Sequence, residues 1–384
     1  MPASELTNMF ETSLRLEEAM KEKEWEELQA SIPLEMESTQ KAADLYRSGQ
    51  KLWIASDLER IEYELSHCKD MPSFTLRRFD GSLVSVKNPM YGVANPIWRP
   101  QIIFQDYWYL MIQDNPQAQL RDTLPYSFPY YSYFIEWENR TFGNFIASEA
   151  PSPDTAFEKV KEEWERSPSC DLLKRQLATV LGERKITKVL CFGLGDILLS
   201  SERALGSRYD LEMAILDQKK RLMQHMFGLT IATAARAGMG ENVELFIQDP
   251  AYTQKGKKVL EKAGFTIVGD HGAGGLSKID DNSAVFCCCG TLPMRQLIAD
   301  LARPAIIVGG TFTHILTNKA YAPFACDTES PRSIELYKGY TRHDVGIVEP
   351  DQLELKDLKL FVRNEVKTDA CVSNGAKVAV SSDN

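Results

Sequence analysis

The chain has 384 residues, of which 43% are hydrophobic and 26% charged, and its formal net charge is −10. That length admits two domains, or one large domain with an extension, and the composition is that of an ordinary globular protein. The acidic balance argues against a surface built for duplex DNA, while a local basic groove stays compatible with it. No apolar run approaches the roughly 20 residues that a bilayer span requires.

Residues 1–30 are acidic and patterned as helix, without the basic start and apolar core of a signal peptide. The eight cysteines form no disulfide framework, which fits a reducing compartment. A cytoplasmic location is therefore expected, and the sequon Asn139-Arg140-Thr141 reads as a chance match. Helical spacing continues through 36–68. FTLRRFDGSLVSVKN then alternates around Asp80-Gly81, where glycine permits a positive-φ turn, and predicts a hairpin. The aromatic-rich stretch from Pro96 to Gly143 predicts extended segments packed on something large, and 155–182 predicts two amphipathic helices.

From Lys185 short apolar runs alternate with helical patterns. ITKVLCFG, NVELFIQD, FTIVGD, SAVFCCCG and PAIIVGGT read as five strands, with helices between them. Such βαβ alternation predicts an α/β fold: a Rossmann-like, doubly wound, mainly parallel sheet, with a helical and small β N-terminal extension. Three parts are expected: an N-terminal region 1–183, the sheet domain 184–350, and a C-terminal segment 351–384 with a disordered tail.

Open parallel sheets bind ligands beyond the carboxyl ends of their strands. In FGLGD, Gly193 and Gly195 allow close backbone approach to an anion, or simply make a tight corner. Leu198 stands where a dinucleotide fingerprint has its third glycine, so NAD binding is not expected, nor any other cofactor. Asp249, at the second strand end, reads either as a hydroxyl-binding acid or as a helix cap, and Tyr252 as a base-stacking or hydrogen-bonding group. HGAGG at 271–275 reads as a lid or a plain connector. The Cys287–Cys289 run cannot chelate one metal, because neighbours on a strand face opposite ways, and only Cys289 is a candidate reactive thiol. Gly309, Gly310, Thr311 and His314 form the last loop. Ser200, Ser201 and Ser207 are candidate nucleophiles or caps, and Arg208 is a candidate clamp for phosphate or carboxylate. The site expected from the residues thus has Asp196, Ser207, Asp249 and Tyr252 as chemical groups. Gly193, Gly195, Arg208, Gly309, Gly310 and Thr311 would hold substrate, with no metal.

The order strand-GLG, SRY before a long helix, DPAYT and a late strand-GGTF resembles the domain named for "sensitivity to red light reduced", in its fungal form, over about 185–320. AADLYRSGQKLWIASDLERIEYEL resembles the helical lead-in of those proteins. The chain departs from the family at CCCGTLP, where members carry Pro-His-Cys-Pro, and at Gly310-Thr311-Phe312, where they carry Gly-Asn-Ser-Phe. The family implies circadian, stress or haem-related regulation. A specialised branch, the arginine-containing cyclodipeptide synthases, implies a transferase of secondary metabolism that joins aminoacyl groups drawn from charged tRNA. On that reading aminoacyl-tRNA is a partner, and KITK, DQKKR and KGKK would meet its phosphates. The DDxxE motif of that branch is missing, since Asp280-Asp281 lacks the trailing Glu. A methyltransferase-like use of the GLGD turn is a further alternative.

Overall fold

The computed structural model describes residues 40–112, 131–139, 152–181, 184–198, 208–239, 242–287, 292–310, 327–347, 355 and 358–365. After a helical stretch at 40–47 comes α1 (Ala55–Ser66), then an antiparallel hairpin of β1 (Ser73–Arg77) and β2 (Leu83–Lys87). Gly81 turns that hairpin at φ 91°, a conformation that strains any residue with a Cβ. β3 (Trp98–Phe104) and β4 (Tyr133–Asn139) are extended, as the aromatic stretch predicts; they pair antiparallel, and a helix that the sequence does not announce, α2 (Tyr107–Ile112), lies between them in the chain. α3 (Pro153–Glu165) opens with the Ser152 hydroxyl accepting from Thr155 N and a proline in its first turn, and α4 (Pro168–Leu181) follows.

The remaining strands make one seven-stranded sheet. They are β5 (Lys188–Phe192), β6 (Glu244–Gln248), β7 (Thr266–Ile267), β8 (Ser283–Cys287), β9 (Ile306–Gly310), β10 (Tyr340–Asp344) and β11 (Leu358–Arg363). Their spatial order is β10-β11-β9-β8-β5-β6-β7. The first five in the chain are parallel, and β11 runs antiparallel to both β9 and β10. The connecting helices are α5 (Arg208–Met239), α6 (Gln254–Lys262), α7 (Met294–Leu301) and α8 (Pro331–Lys338).

Two features go beyond the sequence reading. Among the described residues the sheet has seven strands rather than five, and the strand that joins β9 to β10 comes from 358–363, inside the segment set apart as C-terminal. The alternation that drives this is Leu358, Leu360 and Val362, all buried. The N-terminal segments, moreover, share a core with the sheet. Successive strand residues point to opposite faces, so Val189, Cys191, Leu245, Ile247 and Phe286 join one cluster with α3, α4 and α5. Leu190, Phe192, Phe246 and Val285 join the other, with Leu58, Ile61 and Leu65 of α1 and Phe74 and Phe79 of the hairpin. The sheet is thus covered on both faces. On the first face Gly228 lets α5 pass close to β5: a Cβ there would lie 2.9 Å from the Cys191 sulfur.

Polar joints fasten the N-terminal layer. Asp300 accepts from the backbone N–H groups of Leu52 and Trp53 and pairs with Arg332 at 2.8 Å. Arg332 lies 3.8 Å over the Tyr46 ring and donates to the carbonyls of Tyr46 and Gln50.

Candidate functional site

The chain leaves β5 in one direction along the sheet, to β6 and β7, and returns on the other side through β8 and β9. The switch in strand order therefore lies between β5 and β8, and the loops at their carboxyl ends flank the position where such sheets bind ligands. Two polar clusters sit on that edge, one on each side.

On the β5/β6 side, Gly193 and Gly195 take φ values of 65° and 75° and turn the chain sharply. The Gly195 N–H does not face open space; it donates to Asp249 Oδ2 at 2.7 Å, while Ala251 N–H donates to Oδ1 at 2.9 Å. In a nucleotide fold a phosphate oxygen would take the place of that carboxylate. Here the protein supplies its own anion. Gly195 also admits Arg221, whose Cδ would lie 2.3 Å from an added Cβ. Arg221 Nε and Nη2 donate to the carbonyls of Asp196 (2.6 Å) and Leu198 (3.0 Å), so the guanidinium stitches the turn onto α5. Asp196 turns toward α6, where Thr253 hydrogen-bonds its carboxylate and a Cβ on Gly256 would lie 2.1 Å from Oδ1. Burial raises the pKa of Asp196 and of Asp249, against the hydrogen bonds and the Arg221 charge.

Tyr252 lies behind this turn rather than in it. Its ring is 1% exposed, and its hydroxyl is 2.9 Å from His225 Nε2. His225 Nδ1 is 2.7 Å from the Arg221 carbonyl, an obligate acceptor. Nδ1 therefore carries the proton, and Nε2 accepts from the Tyr252 hydroxyl. Burial holds the His225 pKa down at about 4, which keeps the ring neutral. Tyr252 is thus a strut between the DPAYT turn and α5, and base stacking is not open to it.

The 271–275 loop is likewise no lid. Glu62 of α1 accepts from three backbone N–H groups, those of His271, Ala273 and Gly274, at 2.9–3.1 Å. Gln248, at the end of β6, accepts from Gly275 N–H and donates to the Gly272 carbonyl. His271 Nδ1 donates to the Pro100 carbonyl at 2.6 Å, and burial lowers its pKa.

On the β8/β9 side the centre is Arg295, which the sequence reading missed. Its side chain is 8% exposed, and every arm has a partner. Nε faces Asp327 at 3.4 Å, Nη1 faces Glu329 at 2.9 Å, and Nη2 donates to the Gly310 carbonyl at the end of β9. The Arg295 N–H, in the first turn of α7, donates to Asp327 Oδ1 at 2.6 Å. Asp327 is held at φ 51°, the only positive-φ residue other than glycine among the described residues. Burial raises its pKa to about 6 despite the neighbouring guanidinium, and Glu329 adds to the rise. Its side chain is 14% exposed and that of Glu329 is 35% exposed, so two carboxylates share one cation, Asp327 mostly buried and Glu329 partly open to solvent. A residue in a left-handed conformation without glycine is strained, and such strain collects where a fold needs one particular placement.

The structure therefore brings Asp196, Asp249, Gly193 and Gly195 together, and puts Gly309 and Gly310 on the same sheet edge beside Arg295. Ser207, Thr311, Ser200, Ser201, Cys289 and His314 lie outside the described residues, as does the side chain of Arg208. Several lysines of the basic stretches are in ion pairs. Lys188 pairs with Asp280, Lys219 with Glu163, Lys220 with Asp217 and Lys257 with Asp270. Among the described residues no group of three or more His, Cys, Asp or Glu is placed to hold a metal, and no helix is long and apolar enough to cross a membrane.

Fold and site together define a mixed α/β protein with a mostly parallel sheet and charged clusters at its strand ends. Residues 171–362, half of the chain, match the family model of the SRR1 domain, and the chain belongs to that family. The match spans β5 to β11 with α4 as its lead-in. No curated protein and no solved structure matches the chain.

Proposed function

We propose that the chain is a Rossmann-like, cytoplasmic transferase, most concretely one that joins aminoacyl groups from charged tRNA into an arginine-containing cyclic dipeptide. The observation that carries this reading is the pair of carboxylates at the β8/β9 strand ends, Asp327 and the more exposed Glu329, on one shared guanidinium. In such a reaction the amine of one aminoacyl group attacks the ester carbonyl of the other and the tRNA 3′ hydroxyl leaves; a second attack closes the ring. Each step takes a proton from the amine and gives one to the departing hydroxyl. A carboxyl group titrating near neutrality suits that exchange, and Asp327, at about 6, is such a group. Glu329 supplies the charge that a substrate guanidinium pairs with. On this reading neither metal nor nucleotide cofactor takes part.

The test is incubation of the protein with a full set of charged tRNAs, followed by mass spectrometry for cyclic dipeptides. The reading predicts an RNase-sensitive arginine-containing product that Asp327→Asn lowers at least a hundredfold, in line with loss of a general acid–base. If no product forms from any amino acid, the reading fails.

A second reading, a non-catalytic regulatory protein, draws support from the two closed glycine loops. Gly195 is capped by Asp249 and residues 271–274 by Glu62, so neither nest is open to a phosphate. That reading predicts that partner binding survives Asp327→Asn and is lost when the α1 layer is disrupted. The methyltransferase-like alternative gains nothing here, because the acid that would take ribose hydroxyls, Asp249, is turned onto Gly195. Calorimetry with S-adenosylmethionine checks it, with no binding expected.

A further inference from the structure

A cavity of about 590 Å³ lies at the β7 edge of the sheet, between α1, α6 and the loop that follows β7. This is the volume of a small-ligand site. It is separate from both strand-end clusters: it shares no residue with the Gly193–Asp196 turn or with Arg295, Asp327 and Glu329.

Its chemistry follows from taking the charges one at a time. Glu62 is occupied by the three backbone N–H groups of the 271–274 loop. Lys257 and Asp270 neutralise each other at 2.6 Å. Lys278 lies 5.5 Å over the face of Phe246 and keeps its positive charge. Glu59 on α1 and Glu261 on α6, both exposed on the two helices that wall the cavity, still leave carboxylate in excess of ammonium in the lining. The lining also holds Tyr63, 61% exposed, which is a large apolar area for a ring to leave in water. The ring is not loose. His67 packs on it with centroids 4.2 Å apart and planes 32° apart, and His67 Nδ1 donates to the Tyr63 carbonyl at 2.8 Å. Glu59 and Tyr63 of α1 and His67 at its C-cap follow one another at four-residue spacing.

A held aromatic face beside surplus carboxylate is the chemistry that recognises organic cations: the ring quadrupole attracts the charge, and the carboxylates pair with it. We infer that this cavity binds a small alkylguanidinium or alkylammonium ligand, with Tyr63 as its platform and Glu59 and Glu261 as its counter-charges. This inference does not depend on the transferase reading, and its test uses no tRNA.

Isothermal calorimetry of the full chain with agmatine, which carries both cationic groups, is the experiment. Pentanol serves as the neutral control and inorganic phosphate as the anionic one. Saturable agmatine binding is expected, with Glu59→Gln and Glu261→Gln each weakening it about tenfold and Tyr63→Leu about fivefold. All three side chains are exposed, so the variants are expected to unfold at the wild-type temperature, and a thermal scan checks this. The inference is overturned by absence of agmatine binding up to about 10 mM. It is equally overturned by equal affinity for pentanol, by preference for phosphate, or by binding that none of the three variants changes.

Discussion

The two sides of the sheet's carboxyl edge use the same materials to different ends. On the β5/β6 side one guanidinium, Arg221, gives its donors to backbone carbonyls, and one carboxylate, Asp249, takes two backbone N–H groups. On the β8/β9 side one guanidinium, Arg295, is shared by two carboxylates that remain partly exposed, one of them on strained backbone. The first arrangement satisfies the chain's own polar groups and makes a corner. The second keeps negative charge in hand. A glycine-rich turn is therefore a poor guide to where an α/β sheet works unless its N–H groups are shown to be free.

The largest effect is expected where charge is concentrated. Arg295→Met leaves Asp327 and Glu329 facing each other without a cation and is expected to cost about 3–5 kcal/mol, read by urea unfolding. A loss under 1 kcal/mol would mean that the cluster is solvated and the contrast between the two sides is false.

Acid sensitivity separates the sides next, because their titrating groups move in opposite directions. His225 on the β5/β6 side has its pKa lowered from 6.5 to about 4, so the folded state resists protonation. Its contribution is fully present above about 6.5 and is lost as pH falls toward 4, a change of about 3 kcal/mol at most. Asp327 is raised to about 6, so its contribution is present below the unfolded value of 3.8 and is lost as pH rises through 6. Stability measured from pH 4 to 7 in His225→Phe should lose the rising limb, whereas in Asp327→Asn the opposing fall should disappear.

A smaller effect, about 2 kcal/mol, is expected for Asp249→Ala, which orphans the N–H groups of Gly195 and Ala251. The smallest, about 1 kcal/mol, belongs to Tyr252→Phe, which removes the hydroxyl bond to His225 Nε2. A change in ligand binding without a change in stability in Tyr252→Phe would instead place that ring in contact with substrate.

Much of the fold is legible in the residues, since short apolar runs and helical periods write the βαβ order directly. The hairpin at Asp80-Gly81 and the turn at Gly193–Gly195 follow from where glycine alone is comfortable. What escapes is long-range. LKLFVR is too short and too far from its partners to announce itself as a strand between β9 and β10, though the alternation of Leu358, Leu360 and Val362 is there to see. Asp249 and Glu62 carry the right chemistry, but nothing local tells that one closes Gly195 and the other closes the 271–275 loop, 54 and 209–212 residues away in the chain. Arg295 and Asp327 are ordinary charged residues in sequence, and only a fold that buries them together makes them a site.

The most direct test is the backbone amide signal of Gly195 in an ¹⁵N-resolved NMR titration with inorganic phosphate, NAD and S-adenosylmethionine. Because Asp249 already occupies that N–H, the signal should stay fixed through each titration in the wild type and shift only on Asp249→Ala. A saturable shift of Gly195 in the wild type with any of the three would show that the turn is open to an outside anion, and would contradict the division between a closed corner and a working edge.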